Sequence, residues 1–193
     1  MKLIFATHNL NKAKEISNQL KDTIQLMTLN DLNLTEEIPE TGSTLSENAK
    51  IKSSYVVERF KMNCFADDTG LEIEALNGEP GVYSARYAGL QKSSEGNMDL
   101  VLKNMEGKTQ RNAQFKTMIS LYWDGEFYEF EGIVEGQILT ERTGKDGFGY
   151  DPIFQPNESK LSFAQMTMEE KNLISHRGRA VKKMVDFIND KLK

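Results

Sequence analysis

Between Ala113 and Trp123 the side chains alternate. Ala113, Phe115, Thr117, Ile119, Leu121 and Trp123 fall on one face, and Gln114, Lys116, Met118, Ser120 and Tyr122 on the other. A two-residue period of this length defines a strand with one better-buried face. Asp124–Gly125 follows and then a second apolar-rich run, Phe127–Val134, so the segment predicts a long antiparallel hairpin with a tight Asp-Gly turn. The first half of the chain reads differently. Lys2–Thr7 is a buried strand, Lys12–Leu20 has helical spacing, Ile24–Leu29 is strand-like, and Thr44–Phe60 is a helix with Leu45, Ala49, Lys52, Val56 and Phe60 on one face. Alternating strands and helices followed by a hairpin predict an α/β protein on a long mixed sheet with flanking helices.

The remainder fits that frame. Asn77–Arg86 is a structured loop punctuated by Gly and Pro, and Ser94–Met105 is a helix buried through Met98, Val101, Leu102 and Met105. Thr143–Asp151 is a Gly-rich loop carrying aromatics. Thr167–Glu170 is a capping box, and the last helix carries Val181, Met184, Val185, Ile188 and Leu192 as its apolar stripe. No repeat or linker divides the chain, so residues 1–193 read as a single domain of one core or two lobes.

Composition narrows the function. A net charge of −5 disfavours generic nucleic-acid binding, which needs net Lys and Arg; a polyanion would need a local basic pocket. A single cysteine, Cys64, rules out an intramolecular disulfide and fits the cytosol. The N-terminal apolar run is too short for a signal peptide, and no later run is long enough to span a bilayer, so no membrane is expected.

Cys64–Gly70 holds the candidate chemistry: a short apolar strand, the adjacent carboxylates Asp67 and Asp68, a Thr69–Gly70 turn, and a second strand at Leu71–Ala75. Alone, Asp-Asp-Thr-Gly fits a turn better than a site. Partners elsewhere change the balance. Asn9 and Lys12 sit where a strand meets a helix N-terminus, a phosphate-binding geometry, although Asn9 or Asn11 can equally cap the helix. Lys12 opposes the helix dipole there, and Lys52 interrupts an apolar stripe. Glu36, Glu37 and Glu40 lie in an acidic loop, the aromatics Phe148 and Tyr150 are expected exposed among glycines beside Asp151, and Lys171, His176 and Arg177 follow. Lysines for phosphates, carboxylates for magnesium and an aromatic to stack a base are the inventory of a nucleoside triphosphate site. Neither the G-x-x-x-x-G-K-[ST] loop nor G-x-G-x-x-G is present.

The segments ATHNLNKAKEI, EIPETGSTLSENAKIKS, FADDTGLEIEALNGEPGVYSARYAG, GFGYDPIF and EEKNLISHRGRA, in order over nearly the whole chain, resemble the inosine triphosphate pyrophosphatase family of XTP/dITP diphosphatases. The resemblance implies two lobes around a substrate cleft, usually in a homodimer. It also implies magnesium-dependent hydrolysis of ITP, dITP and XTP at the α–β phosphate bond. Carried over by motif position, Thr7, His8, Asn9, Leu10, Asn11 and Lys12 hold phosphates together with Lys52. Glu40 and Asp68 hold the metal, with Asp67 as a further candidate, and Asp68 is the base. Thr69 touches substrate, while Phe148, Gly149, Tyr150, Asp151, Lys171, His176 and Arg177 form the nucleobase end. His8 stands where many members have Gly. Two alternatives remain: a diphosphatase for pyrimidine or modified nucleotides, and a nucleotide sensor without turnover. The SHR and FGYD segments favour purines, and a sensor has no need of the base and metal carboxylates.

Overall fold

Three adjacent strands near the N-terminus set the frame. In the computed structural model, which describes residues 1–17, 19–20 and 24–192, β1 (Lys2–Phe5) pairs in parallel with β2 (Gln25–Thr28) and β3 (Cys64–Ile73). The sheet order is β2-β1-β3-β5-β6-β7, with β5 at Asn112–Trp123, β6 at Glu126–Ile138 and β7 at Phe154–Pro156; the short β4 (Pro80–Gly81) pairs antiparallel with β3. The β5–β6 hairpin turns where expected, with positive φ at Asp124 (48°) and Gly125 (97°), as a two-residue hairpin turn requires. Parallel and antiparallel pairs therefore coexist in one sheet, as the α/β mixed-sheet reading anticipated.

Helices α1 (Leu10–Ser17), α2 (Leu45–Phe60), α3 (Ser94–Asn104), α4 (Met168–Ile174) and α5 (His176–Lys191) accompany the sheet. α1 starts two residues before the predicted Lys12; of the predicted span, residue 18 lies outside the described residues. Thr44 and Thr167 cap α2 and α4 through reciprocal capping boxes, each such cap stabilising its helix by about 1 kcal/mol. On α5 the stripe is buried except for its last member, Leu192, which is exposed beyond the end of the helix.

The chain divides into two compact units: Met1–Asp68, Thr117–Gly132 and Arg177–Lys193 form one, and Thr69–Lys116 with Ile133–His176 form the other. The first unit has two apolar clusters, one on each face of its strands. Leu3, Phe5 and Phe65 pack with Ile16 of α1 and with Val181, Met184 and Ile188 of α5. Ile4, Ala6, Cys64 and Ala66 pack with Val56 and Val57 of α2. Odd and even residues thus serve opposite faces, as the strand period demands. The second unit has its own core, in which Leu71, Ile73, Met98, Val101, Phe115, Phe154 and Phe163 are buried.

Candidate active site

The sequence expectation that the strand ends at Asp67–Asp68 is overturned. β3 continues without a break through Thr69 and Gly70 to Ile73, and Leu71 pairs with Gly81. Turn propensity yields here because backbone pairing and burial satisfy Thr69–Gly70 as strand residues; Gly70 is itself buried. The two aspartates consequently point to opposite faces. Asp67 follows Phe65 toward α1 and α5, and Asp68 follows Ala66 toward α2.

Each face supplies its own partners. Between β1 and α1, Asn9 caps the helix, its Oδ1 accepting from the backbone N–H of Asn11 (3.0 Å) and Lys12 (3.2 Å), while Thr7 Oγ1 accepts from Asn9 N–H. Lys12, in the first turn, donates Nζ to Asp67 Oδ1 at 2.9 Å, which accounts for a cation at an unfavourable end of the dipole. Arg177 of α5 donates Nε to the other oxygen, Asp67 Oδ2 (3.2 Å), and Nη1 to the Glu15 carboxylate. On the α2 face, Asn48 Nδ2 donates to Asp68 Oδ2 (3.1 Å), and Lys52 Nζ lies 3.8 Å from Asp68 Oδ1. Lys52 also donates to Glu40 Oε1 and to the Asp67 carbonyl, each at 2.6 Å. Of the three loop glutamates the structure therefore brings Glu40 to this cluster. Glu36 accepts instead from Tyr55 (2.7 Å) and Arg59 (3.2 Å), and Glu37 is exposed.

These contacts drive the neighbouring carboxylates apart in ionisation. Burial disfavours the Asp67 charge, but Lys12, Arg177 and Lys52 outweigh it and hold that carboxyl well below the usual range. For Asp68 burial wins: Lys52 and Lys12 oppose it, Glu40 reinforces it, and the pKa is pushed up. Burial lowers Lys12; Lys52 is also penalised by burial, yet Asp68, Glu40 and Asp67 keep its pKa raised. Titratable neighbours separated in this way mark distinct chemical roles. As metal donors, Glu40 and Asp68 are hard oxygen ligands gathered around one ammonium. Among the described residues no group of three His, Cys, Asp or Glu forms a closed cage. A two-carboxylate donor set fits magnesium, which keeps waters and substrate phosphates in its remaining positions.

The remaining phosphate-loop residues are less engaged. Leu10 is exposed, and the His8 ring nitrogens lie 3.1 Å from Asn30 Oδ1 and 3.1 Å from the Glu36 carbonyl. Thr69, half-buried, is the first residue of the second unit.

The second unit builds a different cluster. Gly147 (φ 78°) brings the 143–151 loop so close to Asp151 that a Cβ would clash with its carboxylate. Asp151 Oδ2 accepts from Phe148 N–H and from Lys171 Nζ, both at 2.7 Å. The Lys171 ammonium sits 4.6 Å from the Phe148 ring centroid and 5.6 Å from that of Phe163, a cation–π arrangement with both charged partners about 5% exposed or less. His176 is buried and stacks on Phe115 at 4.7 Å. Gly149 lies in the same loop with positive φ (64°). Tyr150 corrects the expectation of exposed aromatics: it is a core residue whose hydroxyl donates to the Ser84 carbonyl (2.7 Å), and its burial pushes the phenol pKa up. Phe148 is half-buried.

Arg177 also differs from expectation in its company. It was grouped with His176, but the two adjacent residues fall in different units, and Asp67 and Glu15 are partners of Arg177 in the first. Glu15, Asn48, Ser84 and Phe163 were not singled out from the sequence. Two had a signal, since Glu15 lies three residues after Lys12 and Asn48 four before Lys52, each on the face of a lysine already selected.

The mixed-sheet α/β fold thus carries buried lysines, an aspartate held ionised and an adjacent aspartate of raised pKa. The chain belongs to the Ham1 family, whose model matches residues 3–187. It is 50% identical over 188 residues to the dITP/XTP pyrophosphatase of Flavobacterium johnsoniae, covering 97% of this chain and 98% of that one. It is 46% identical to the dITP/XTP pyrophosphatase of Porphyromonas gingivalis, over 97% of each chain. Among solved structures, the Staphylococcus aureus Ham1 protein matches with a TM-score of 0.90 at 38% identity, covering 99% of this chain and 100% of that chain.

Proposed function

We propose that this chain hydrolyses deaminated purine nucleoside triphosphates (dITP, ITP and XTP) at the α–β bond, releasing the monophosphate and pyrophosphate and clearing these nucleotides from the pool. The observation that carries the reading is the divergence of two adjacent carboxylates: Asp67 locked ionised by Lys12 and Arg177, Asp68 raised beside Glu40 and Lys52. Full-length relatives named dITP/XTP pyrophosphatase support the substrate class.

In this reading Asp68 accepts the proton of the attacking water, a role worth about 10²–10⁴-fold. Lys12 and the Thr7–Asn11 backbone at the start of α1 bind phosphate oxygens, and Lys52 steadies Glu40 while opposing negative charge. Glu40 and Asp68 would hold magnesium, which supplies offset of the charge on the phosphate oxygens and a more acidic water. Phe148 offers a face to the base, and Lys171 and His176 offer donors. A 6-keto purine accepts from them, whereas adenine's 6-amino group meets them donor to donor, a basis for discrimination. The protein is further proposed to act as a homodimer in the cytosol, a reading supported by the family resemblance and by the lone buried Cys64.

The test is to incubate the purified chain with magnesium and, separately, dITP, XTP, ATP, GTP or dTTP. Pyrophosphate from dITP and XTP with little from ATP is expected; orthophosphate as the first product would sink the α–β assignment.

No helix among the described residues is long and apolar enough to cross a membrane.

A further inference from the structure

We infer that Asn48 is a positioning residue for the reaction, fixing the Asp68 carboxylate and tying it to the loop that presents Glu40. The inference rests on the reading of Asp68 as the base. Asn48 is fully buried on α2, with a polar side chain whose two ends do different work. Its Oδ1 accepts from the Gly42 backbone N–H at 2.8 Å, and its Nδ2 donates to Asp68 Oδ2 at 3.1 Å. A backbone N–H can only donate, so the amide oxygen must face Gly42 and the NH2 group must face Asp68. The direction of the bond to Asp68 is therefore set by the loop and not by the carboxylate.

Gly42 makes that link possible. A Cβ there would lie 2.6 Å from Glu47 Cβ and 2.8 Å from Asn48 Oδ1, so the loop backbone approaches α2 as closely as only glycine permits. Glu40 stands two residues earlier and is held by Lys52, one helical turn after Asn48. Neighbouring turns of α2 thus hold the glutamate, the loop and the aspartate in one register. The terminal torsion of an aspartate is broad, and Lys52 at 3.8 Å from Oδ1 sets little direction. Asn48 takes Oδ2 and thereby turns Oδ1 toward Lys52.

The experiment measures pyrophosphate release from dITP at saturating magnesium for Asn48→Asp, Asn48→Leu and Gly42→Ala, with thermal unfolding recorded for each. Asn48→Asp keeps an acceptor for Gly42 and loses the donor to Asp68; Asn48→Leu loses both; Gly42→Ala keeps Asn48 but crowds its oxygen. The expected result is a kcat loss of about 100-fold in the two Asn48 variants, as for a misoriented catalytic group, with KM within about threefold. Gly42→Ala should shift kcat in the same direction by less. A residue that merely satisfies the core would lower the melting temperature and leave kcat of the folded fraction intact. Any cooperatively unfolding Asn48 variant with kcat within threefold of wild type overturns the inference, as does a rise in KM at unchanged kcat. Should both Asn48 variants fail to fold, an unchanged kcat in Gly42→Ala overturns it instead. Wild-type turnover in the same assay separates the outcomes: an inactive wild type refutes the functional reading itself, and the inference with it.

Discussion

The two units bury charge in contrasting ways. In the first, Lys12, Glu15, Glu40, Lys52, Asp67, Asp68 and Arg177 form a network in which Lys52, Asp67 and Arg177 each meet two opposite charges. In the second, Lys171 pairs with Asp151 beside the Phe148 and Phe163 rings. The network's cations hold Asp67 ionised, while burial, reinforced by Glu40, raises Asp68 against the pull of Lys52 and Lys12. A pair set beside aromatic rings presents a fixed donor and a flat face. The first arrangement suits proton transfer and polyphosphate charge; the second suits recognition of a planar ring.

The largest effect that would break this contrast is at Asp68. Asp68→Asn preserves shape and the Asn48 contact region but removes the proton acceptor, so dITP turnover should fall by about 10²–10⁴-fold with an unchanged melting temperature. Near-normal turnover would strip the first unit of its catalytic assignment. Next comes the cost of unpairing. Lys171→Met leaves the Asp151 carboxylate buried with one fewer cation, and Arg177→Ala does the same to Asp67 and Glu15. Each should lower stability by about 3–5 kcal/mol in chemical denaturation. The loss at Arg177 should be the larger within that range, since Asp67 and Glu15 both lose a cation. Equal losses would mean that the network adds nothing over the pair in the second unit.

What the sequence disclosed follows the range of the interactions involved. The β5–β6 hairpin and the Thr167 cap are local, so alternation, an Asp-Gly pair and S/T-x-x-E spacing were enough to find them. The course of β3 was not, because Thr69–Gly70 carry turn chemistry and the neighbouring strands that extend β3 leave no mark in its local sequence. The candidate site divides along the same line. Residue types and motif order put Lys52, Glu40 and Asp68 in one group, as their contacts do, while Lys12 meets Asp67 on the other face of the strand. Tyr150 was misjudged because a Gly-rich loop looks exposed until its core contacts with Phe115 and Ser84 are known. The ion pairs of Arg177 with Glu15 and Asp67 join residues far apart in the chain, and local sequence carries no mark of them.

Asp67 gives the contrast a pH signature. Its folded pKa is depressed, so its ionised form stabilises the protein above the ordinary aspartate pKa of about 3.9, and that stability drains away as pH falls toward the lower folded value. Asp67→Asn should therefore be clearly less stable than wild type at pH 7, and the gap should narrow below about pH 5. Denaturation curves across that range would show it; a gap independent of pH would mean that the carboxylate's charge is not what binds Lys12 and Arg177.

The smallest expected effect lies at the rim of the first unit. His8 reaches Asn30 and the Glu36 carbonyl, bridging the loop before α1 to the acidic loop through two contacts at 3.1 Å. Neither partner is a group assigned to phosphate or proton transfer, and the ring is not fully buried. His8→Gly removes the bridge and frees the backbone, so stability should fall by about 1 kcal/mol, the net worth of one such hydrogen bond. Because the loop serves phosphates and not the base, any rise in KM should be equal for dITP, XTP and dTTP. A rise confined to the purines would connect this loop to base recognition and erase the division of labour between the two units.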